Sequence, residues 1–307
     1  MRTVETVADQ LFFTTVYIEA AAPGGVSTGT GFVVSYHTPE GILPILITNK
    51  HVLGDFSEIT FRMVAAETGA PSKHATQITV SGVVPGQTWV GHPDPNVDIA
   101  VMPFGEVMTA MAKNGAPPYF RAFGPENFLT QEQADELDGI EQVLFVGYPN
   151  SLFDTASWMP IVRRGQTATP IYNDYRGQPS FLIDASVFPG SSGSPVVIYD
   201  RGMYVTRSGA TNIGSRFYLA GVVAAVHTRQ VLGQIILTQG TPASISESCT
   251  RPEPSKKRST YLYKAKASSL SLRRQRKHLR DVRLSSLRPK VPRWMPKRFA
   301  SALTLTP

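Results

Sequence analysis

Three short segments bring together the residue types that amide hydrolysis requires. Ile47-Thr48-Asn49-Lys50-His51-Val52-Leu53 places a histidine directly after an apolar strand, and Asn96-Val97-Asp98-Ile99-Ala100-Val101 opens another apolar run with an acid. Phe188-Pro189-Gly190-Ser191-Ser192-Gly193-Ser194-Pro195-Val196 is a glycine-rich loop feeding a third. Cleaving an amide takes a nucleophile, a base to receive its proton, a group that orients the base, and donors for the developing oxyanion. Serine, histidine and aspartate in these loops would supply the first three. The glycines would let backbone N–H groups turn toward a substrate oxygen. Alone, Gly-Ser-Ser-Gly-Ser reads as a polar loop; the histidine and aspartate segments, in the order His, Asp, Ser, reverse that reading.

Residues at strand ends need strands to position them, and the first 250 residues are rich in strand-like runs. Short apolar or alternating stretches recur at 11–20, 31–36, 42–48, 58–64, 77–84, 98–104, 142–149, 180–185, 194–199, 218–226 and 234–238. Runs of this length at this spacing predict an all-β sandwich or barrel architecture. Two helical patches interrupt them, 105–115 ending in Asn-Gly and 128–138 beginning at Thr130. Both lie near the chain midpoint, where they would bridge two β units.

On these motifs the chain resembles the trypsin-like (chymotrypsin-fold) serine peptidases, particularly the disulfide-free bacterial branch that includes glutamyl endopeptidase. The matching residues are Thr48-Asn49-Lys50-His51-Val52, Asp98-Ile99-Ala100-Val101, Gly147-Tyr148-Pro149 and Gly190-Ser191-Ser192-Gly193-Ser194-Pro195-Val196. The resemblance spans about residues 10–240, with gaps of 47 and 94 residues between His51, Asp98 and Ser192. It implies two antiparallel Greek-key β-barrels with the active site in the cleft between them. The expected division is 1–115 for a barrel carrying His51 and Asp98, 116–250 for a barrel carrying Ser192, and 251–307 for a basic, disordered or partly helical extension.

The same resemblance implies roles. Ser192 would be the nucleophile, His51 the general base and acid, and Asp98 the residue holding the imidazole tautomer, with the N–H groups of Gly190 and Ser192 as oxyanion hole. Ser192 is preferred over its neighbours because it directly precedes Gly193-Ser194-Pro195. Ser191 stands where pancreatic members carry an aspartate that captures a freed N-terminus, so activation by that ion pair is not expected. The specificity pocket would be lined by Ser186, Val187, Val223, Ala224 and Ala225. Ser186 replaces the aspartate of members that cleave after Arg or Lys, and Val223 replaces the histidine of glutamyl endopeptidases. The expected pocket is therefore neutral, accepting an apolar or small side chain. The loop 154–178, rich in Arg, Tyr and Gly, is a candidate cover for the cleft.

Other chemistries find no support. The nucleophile elbow of α/β-hydrolases needs G-x-S-x-G between a strand and a helix, whereas Ser194 takes the last position here and a strand-like run follows. There is no G-x-x-x-x-G-K-[ST] for nucleotide phosphates and no His/Cys spacing typical of a structural metal, so no cofactor or metal is expected. His37, His74 and His92 read as surface-loop residues and His227 as a strand-end residue.

The net charge of +7 over 307 residues conceals a division. Residues 1–250 carry 13 Lys and Arg against 21 Asp and Glu, while residues 251–307 carry 17 against 2. An acidic body thus bears a basic extension. That extension reads as a solvated tail, as a phosphate-binding arm for nucleic acid, as an anchor to an anionic membrane surface, or as a run-on end without function. Tyr261, Tyr263, Trp294 and Phe299 are available to stack on bases. The second functional reading follows from it: a catalytically silent module tethered to nucleic acid or membrane by residues 251–307, against an endopeptidase whose partner is a protein or peptide substrate. A single cysteine, Cys249, excludes an intrachain disulfide. With no signal peptide or transmembrane run read, a reducing, cytoplasmic setting is the expectation.

Overall fold

In the computed structural model, residues 3–22, 25–39, 41–226 and 259–264 are described, and all of them lie in one compact unit. The first half runs α1 (Val7–Leu11), β1 (Thr15–Ala22), β2 (Gly25–Thr38), β3 (Gly41–Thr48), α2 (Lys50–Leu53), β4 (Glu58–Glu67), β5 (Ala70–Ser81), β6 (Val90–Gly91), β7 (Ala100–Pro103) and α3 (Gly105–Asn114). The strands form one antiparallel seven-stranded sheet in the order β5-β4-β1-β2-β3-β7-β6. Alternation puts Val16, Ile18 and Ala20 of β1 and Ile59, Phe61 and Met63 of β4 on one buried face. Val107, Met108 and Met111 of α3 fill the same core.

Ile78 and Val80 near one edge of the sheet, and Trp89 beside the other, pack on that single core, so the sheet curls around it. No ladder joins β5 to β6, however. The first half is an open, curled sheet where a closed barrel was expected. The strand at the far edge, β6, is two residues long, α3 packs against β5, and Val83 N–H bonds Ser57 O.

The second half contains α4 (Gln131–Asp135), β8 (Gln142–Gly147), β9 (Ile161–Thr167), β10 (Ser180–Asp184), β11 (Pro195–Asp200), β12 (Met203–Val205), β13 (Thr211–Ile213), β14 (Arg216–Val226) and β15 (Ser259–Lys264). Six of these strands close into a barrel in the order β10-β15-β14-β11-β8-β9, and β12 and β13 form a separate hairpin. Phe145, Phe181, Ile183, Val196, Ile198 and Val223 fill the barrel. At its rim Arg216, 7% exposed, donates from Nη2 to Glu141 Oε2 at 2.6 Å and from Nε to Asp200. Burial alone would lower the Arg216 pKa, but these two carboxylates raise it above its ordinary value.

A third apolar cluster lies between the halves. Phe32 and Val34 of β2 meet Val146, Val197, Leu219 and Val222 of the barrel, with Phe123 and Phe128 of the connecting segment between them. Phe123 is edge-on to Phe32 at 5.5 Å and stacked on Phe217 at 5.9 Å. The connection is therefore extended over much of its length, bridging to β2 at Phe123 and to β14 at Phe128, while the expected helices are α3 and the short α4.

Several expectations change. His37 and His74 sit on the exposed faces of β2 and β5 rather than in loops. The proposed cover at 154–178 contains barrel strand β9, whose polar Arg163-Arg164-Gly165-Gln166 conceals its strand character. Residues 227–258 and 265–307 lie outside the described residues, and with them the run at 234–238, His227 and most of the basic extension. Within that extension Ser259–Lys264 is neither disordered nor helical. It pairs five residues with β10 and five with β14, satisfying two edges that would otherwise be open.

That pairing yields a prediction. A chain ending at Lys266 should melt like the full-length protein. One ending at Thr250 lacks β15 and should lose several kcal/mol, at about 0.5–1.5 kcal/mol net for each ladder bond. Thermal unfolding followed by near-UV circular dichroism tests it, and equal melting temperatures would show that β15 does not close the barrel.

Candidate active site

His51 and Asp98 are brought together by sheet register. β3 and β7 are antiparallel with Thr48 opposite Ala100, so continuing the pairing past the ends of both strands sets Asp98 against the first turn of α2. That turn is seated by Val52 and Leu53, both buried. Asn49, fully buried, donates from Nδ2 to Asp98 O at 2.6 Å, and Lys50 Nζ reaches Asp94 O at 3.0 Å. The loop is thus pinned to the start of the helix at Asp94 and at Asp98 itself. Asp98 Oδ1 accepts from the His51 backbone N–H at 3.2 Å, and Oδ2 lies 2.5 Å from His51 Nδ1. The imidazole is about half exposed and the carboxylate about one quarter exposed, so the pair stands at the protein surface.

Burial alone would push the Asp98 carboxyl up. The hydrogen bond and charge of His51, with the backbone N–H groups of His51 and Lys50, outweigh it and hold the group below its ordinary value of 3.8. Asp98 is therefore ionised at neutral pH.

Ser192 lies in a loop of defined shape. Ser191 N–H donates to Phe188 O at 3.1 Å, and Gly190 has φ +83°. With proline at the second position and a positive φ at the third, Phe188-Pro189-Gly190-Ser191 is a type II turn, which is why glycine stands at 190. Ser194 N–H then bonds Ser191 O at 3.0 Å, and Gly193 N–H bonds Val223 O at 2.7 Å. Among the described residues, neither Gly190 N–H nor Ser192 N–H has an acceptor within the protein. Of the three serines, Ser191 and Ser194 are fully buried and only Ser192 retains exposure.

One residue of the first half carries this loop. Thr30, buried on β2, donates its N–H to Ser192 O at 2.8 Å and its Oγ1–H to Gly190 O at 2.8 Å. The same Oγ1 accepts from Tyr148 N–H at 3.1 Å, and Thr30 O accepts from Thr48 Oγ1 at 2.7 Å. Backbone approach is so close that a Cβ at Gly193 would lie 1.9 Å from Thr30 O. Thr48 is three residues from His51. The serine loop and the His51 helix are accordingly tied to the same point of the sheet.

A model of the trypsin-like peptidase domain matches residues 29–205, more than half of the chain and inclusive of all three segments. The chain belongs to the trypsin-like peptidase domain family. Membership supports a serine endopeptidase. No curated protein matches the chain. Among solved structures it is similar to tobacco etch virus protease complexed with product, at 13% identity over 91% of this chain and 84% of that one, with a TM-score of 0.44. A serine endoprotease from Yersinia pestis matches at 16% identity over 91% and 69% of the two chains, with a TM-score of 0.42. An inactivated protease paralogue of the scabies mite matches at 12% identity over 86% and 95%, with a TM-score of 0.41.

For a peptidase of this family the surroundings of the serine loop matter next. Ser186 is exposed, whereas Val187 and Val223 are buried in the barrel core and Ala224 is 3% exposed. Ala225 is on β14, paired with Tyr261. A charged side chain that the sequence did not single out stands beside Ser186 and Ser191. Arg163 of β9 donates from Nη1 to Ser186 O at 3.0 Å and from Nη2 to Ser191 Oγ at 2.7 Å. Its guanidinium lies over the Phe145 ring at 4.5 Å, Phe145 being its partner across the β8–β9 ladder. Burial pushes its pKa down to about 10, so it stays charged at neutral pH. Nothing in Ile161–Thr167 marks it as different from a surface arginine until the ladder is known.

Two predictions follow from these contacts. Thr30→Val keeps the shape but strands the buried Tyr148 N–H and Gly190 O, for an expected loss of about 2–5 kcal/mol, whereas Thr30→Ser should cost under about 1; urea unfolding measures both. For Asp98, the folded pKa lies below the unfolded one, so its contribution is present above 3.8 and lost as pH falls through the folded value. Below about pH 5, the stability gap between the parent and Asp98→Asn should therefore shrink as pH falls toward the folded value. A gap that grows as pH falls below about 5 would contradict that sign.

Proposed function

We propose that this chain is an endopeptidase acting through Ser192, His51 and Asp98 and an acyl-enzyme intermediate. The observation that carries the reading is the 2.5 Å contact between His51 Nδ1 and Asp98 Oδ2. With Asp98 ionised, Nδ1 bears the proton and donates it in this bond, leaving the Nε2 lone pair free to accept another. Ser192 Oγ attacks the substrate carbonyl carbon as its proton passes to Nε2. The carbonyl oxygen takes up the negative charge and is stabilised by the N–H groups of Gly190 and Ser192, the two in this loop without an internal acceptor. The tetrahedral species expels the amine, which leaves with the proton from His51. Water then attacks the acyl group along the same route in reverse, with His51 as base, and frees Ser192.

The side chain preceding the cleaved bond is proposed to be uncharged. Ser186 offers no anion to a basic side chain, and the nearby Arg163 would repel one. The alternative of a silent module tethered to nucleic acid or membrane rests on residues 251–307. The one described part of that segment is the barrel strand Ser259–Lys264, which gives it no support.

Labelling with a fluorophosphonate tests the reading. The parent should label, Ser192→Ala should not, and His51→Ala should lose the reaction. Asp98→Asn should slow peptide turnover by about 10⁴-fold because the imidazole takes the wrong tautomer. Labelling of Ser192→Ala at the parental rate would refute the assignment. In a peptide library, cleavage after Lys or Arg should be rare.

A further inference from the structure

Arg163 is a charged side chain in a place that gives it no counter-ion. Among the described residues no carboxylate pairs with it, and its buried Nε has no hydrogen-bond partner. Withdrawing a guanidinium even partly from water without an anion is unfavourable unless other contacts offset it. The contacts present all concern one structural feature. Nη1 holds Ser186 O on the way into the type II turn, Nη2 holds Ser191 Oγ at its last residue, and the Phe188 ring at its first residue lies 6.0 Å from the cation. Ser191 Oγ also accepts from the Phe188 N–H at 3.4 Å, so the hydroxyl links the two ends of the turn.

We infer that Arg163 is a positioning residue for the oxyanion turn, tying Ser186 and Ser191 so that the Gly190 and Ser192 N–H groups are held ready before substrate arrives. Its kinetic consequence rests on the serine peptidase reading above; its structural consequence does not. The position of Ser191 makes the arrangement intelligible. With a hydroxyl there, an arginine from the neighbouring strand supplies a charge-assisted hydrogen bond from inside the barrel wall. Thr30 holds the same turn from the opposite half through Gly190 O, so the turn is fastened at both faces. A role as receptor for a substrate carboxylate fits less well. The Nε–H has no solvent-accessible surface, and each Nη already serves the turn.

The test uses the full-length chain and two independent readouts. In Arg163→Met, hydrogen exchange at the Ser191 and Ser194 amides should accelerate by about 10-fold or more, while amides of β11 and β14 outside the loop keep their protection. Peptide turnover should show kcat reduced by about 10²–10³-fold, the loss typical of an oxyanion donor, with little change in KM. Arg163→Lys should recover part of both, and Ser191→Ala combined with Arg163→Met should be no worse than the more damaging single change. Unaltered exchange in the turn overturns the inference, whether kcat stays constant or selectivity for acidic over neutral side chains shifts. So does accelerated exchange throughout the barrel, which would make Arg163 a support of the fold alone. If the parent lacks Ser192-dependent turnover, the peptidase reading fails, and the exchange readout by itself decides the role of Arg163.

Discussion

Thr30 joins the two halves at the point where their chemistry must meet. One residue of the first sheet uses its backbone N–H, its hydroxyl hydrogen, its hydroxyl oxygen and its backbone carbonyl to hold Ser192, Gly190, Tyr148 and Thr48. All of this lies in a buried setting where each bond is worth more than in water and each broken one leaves a stranded partner. The apolar cluster around Phe32, Phe123 and Val197 presses the halves together. Apolar packing has no direction, though, and would tolerate sliding. The bonds at Thr30 set the register of one half against the other. Glycine at 193 is the corresponding concession in the serine loop, since any side chain would collide with the Thr30 carbonyl.

The His51–Asp98 pair obeys the same logic on a smaller scale. Neither residue lies within a strand, yet the antiparallel register of β3 and β7 determines that they face each other. Asn49 Nδ2 and Lys50 Nζ go to backbone carbonyls of the Asp98 loop, leaving the carboxylate itself to the imidazole and to the N–H groups of His51 and Lys50. The result is an acid kept ionised by its neighbours in spite of partial burial.

The two inward-facing arginines of the barrel contrast instructively. Arg216 meets Glu141 and Asp200, a pairing that offsets its own desolvation. Arg163 meets a carbonyl, a hydroxyl and two aromatic rings, so its charge is only partly compensated. A partly compensated charge is retained where its hydrogen bonds offset the desolvation. Here it borders the turn whose N–H groups point away from internal acceptors.

Much of this protein is legible along the chain. Apolar alternation marks most of the strands, because a half-buried strand must repeat with period two. His51, Asp98 and Ser192 stand out because each follows or precedes such a run in a short loop of unusual composition. What alternation cannot reveal is how edges are satisfied. β9 is written in arginine and glutamine, and β15 sits inside a basic segment, so both look like surface until the ladders of β8, β10 and β14 need partners. The open first sheet is hidden for the same reason, since closure depends on whether two distant edges meet. The role of Thr30 depends on contacts more than one hundred residues away in sequence. Local pattern therefore determined the class of fold and the three chemical segments. Only the tertiary structure decided which strands close the barrel and which threonine and arginine hold the serine loop, because those choices rest on long-range hydrogen bonds that leave no periodic trace.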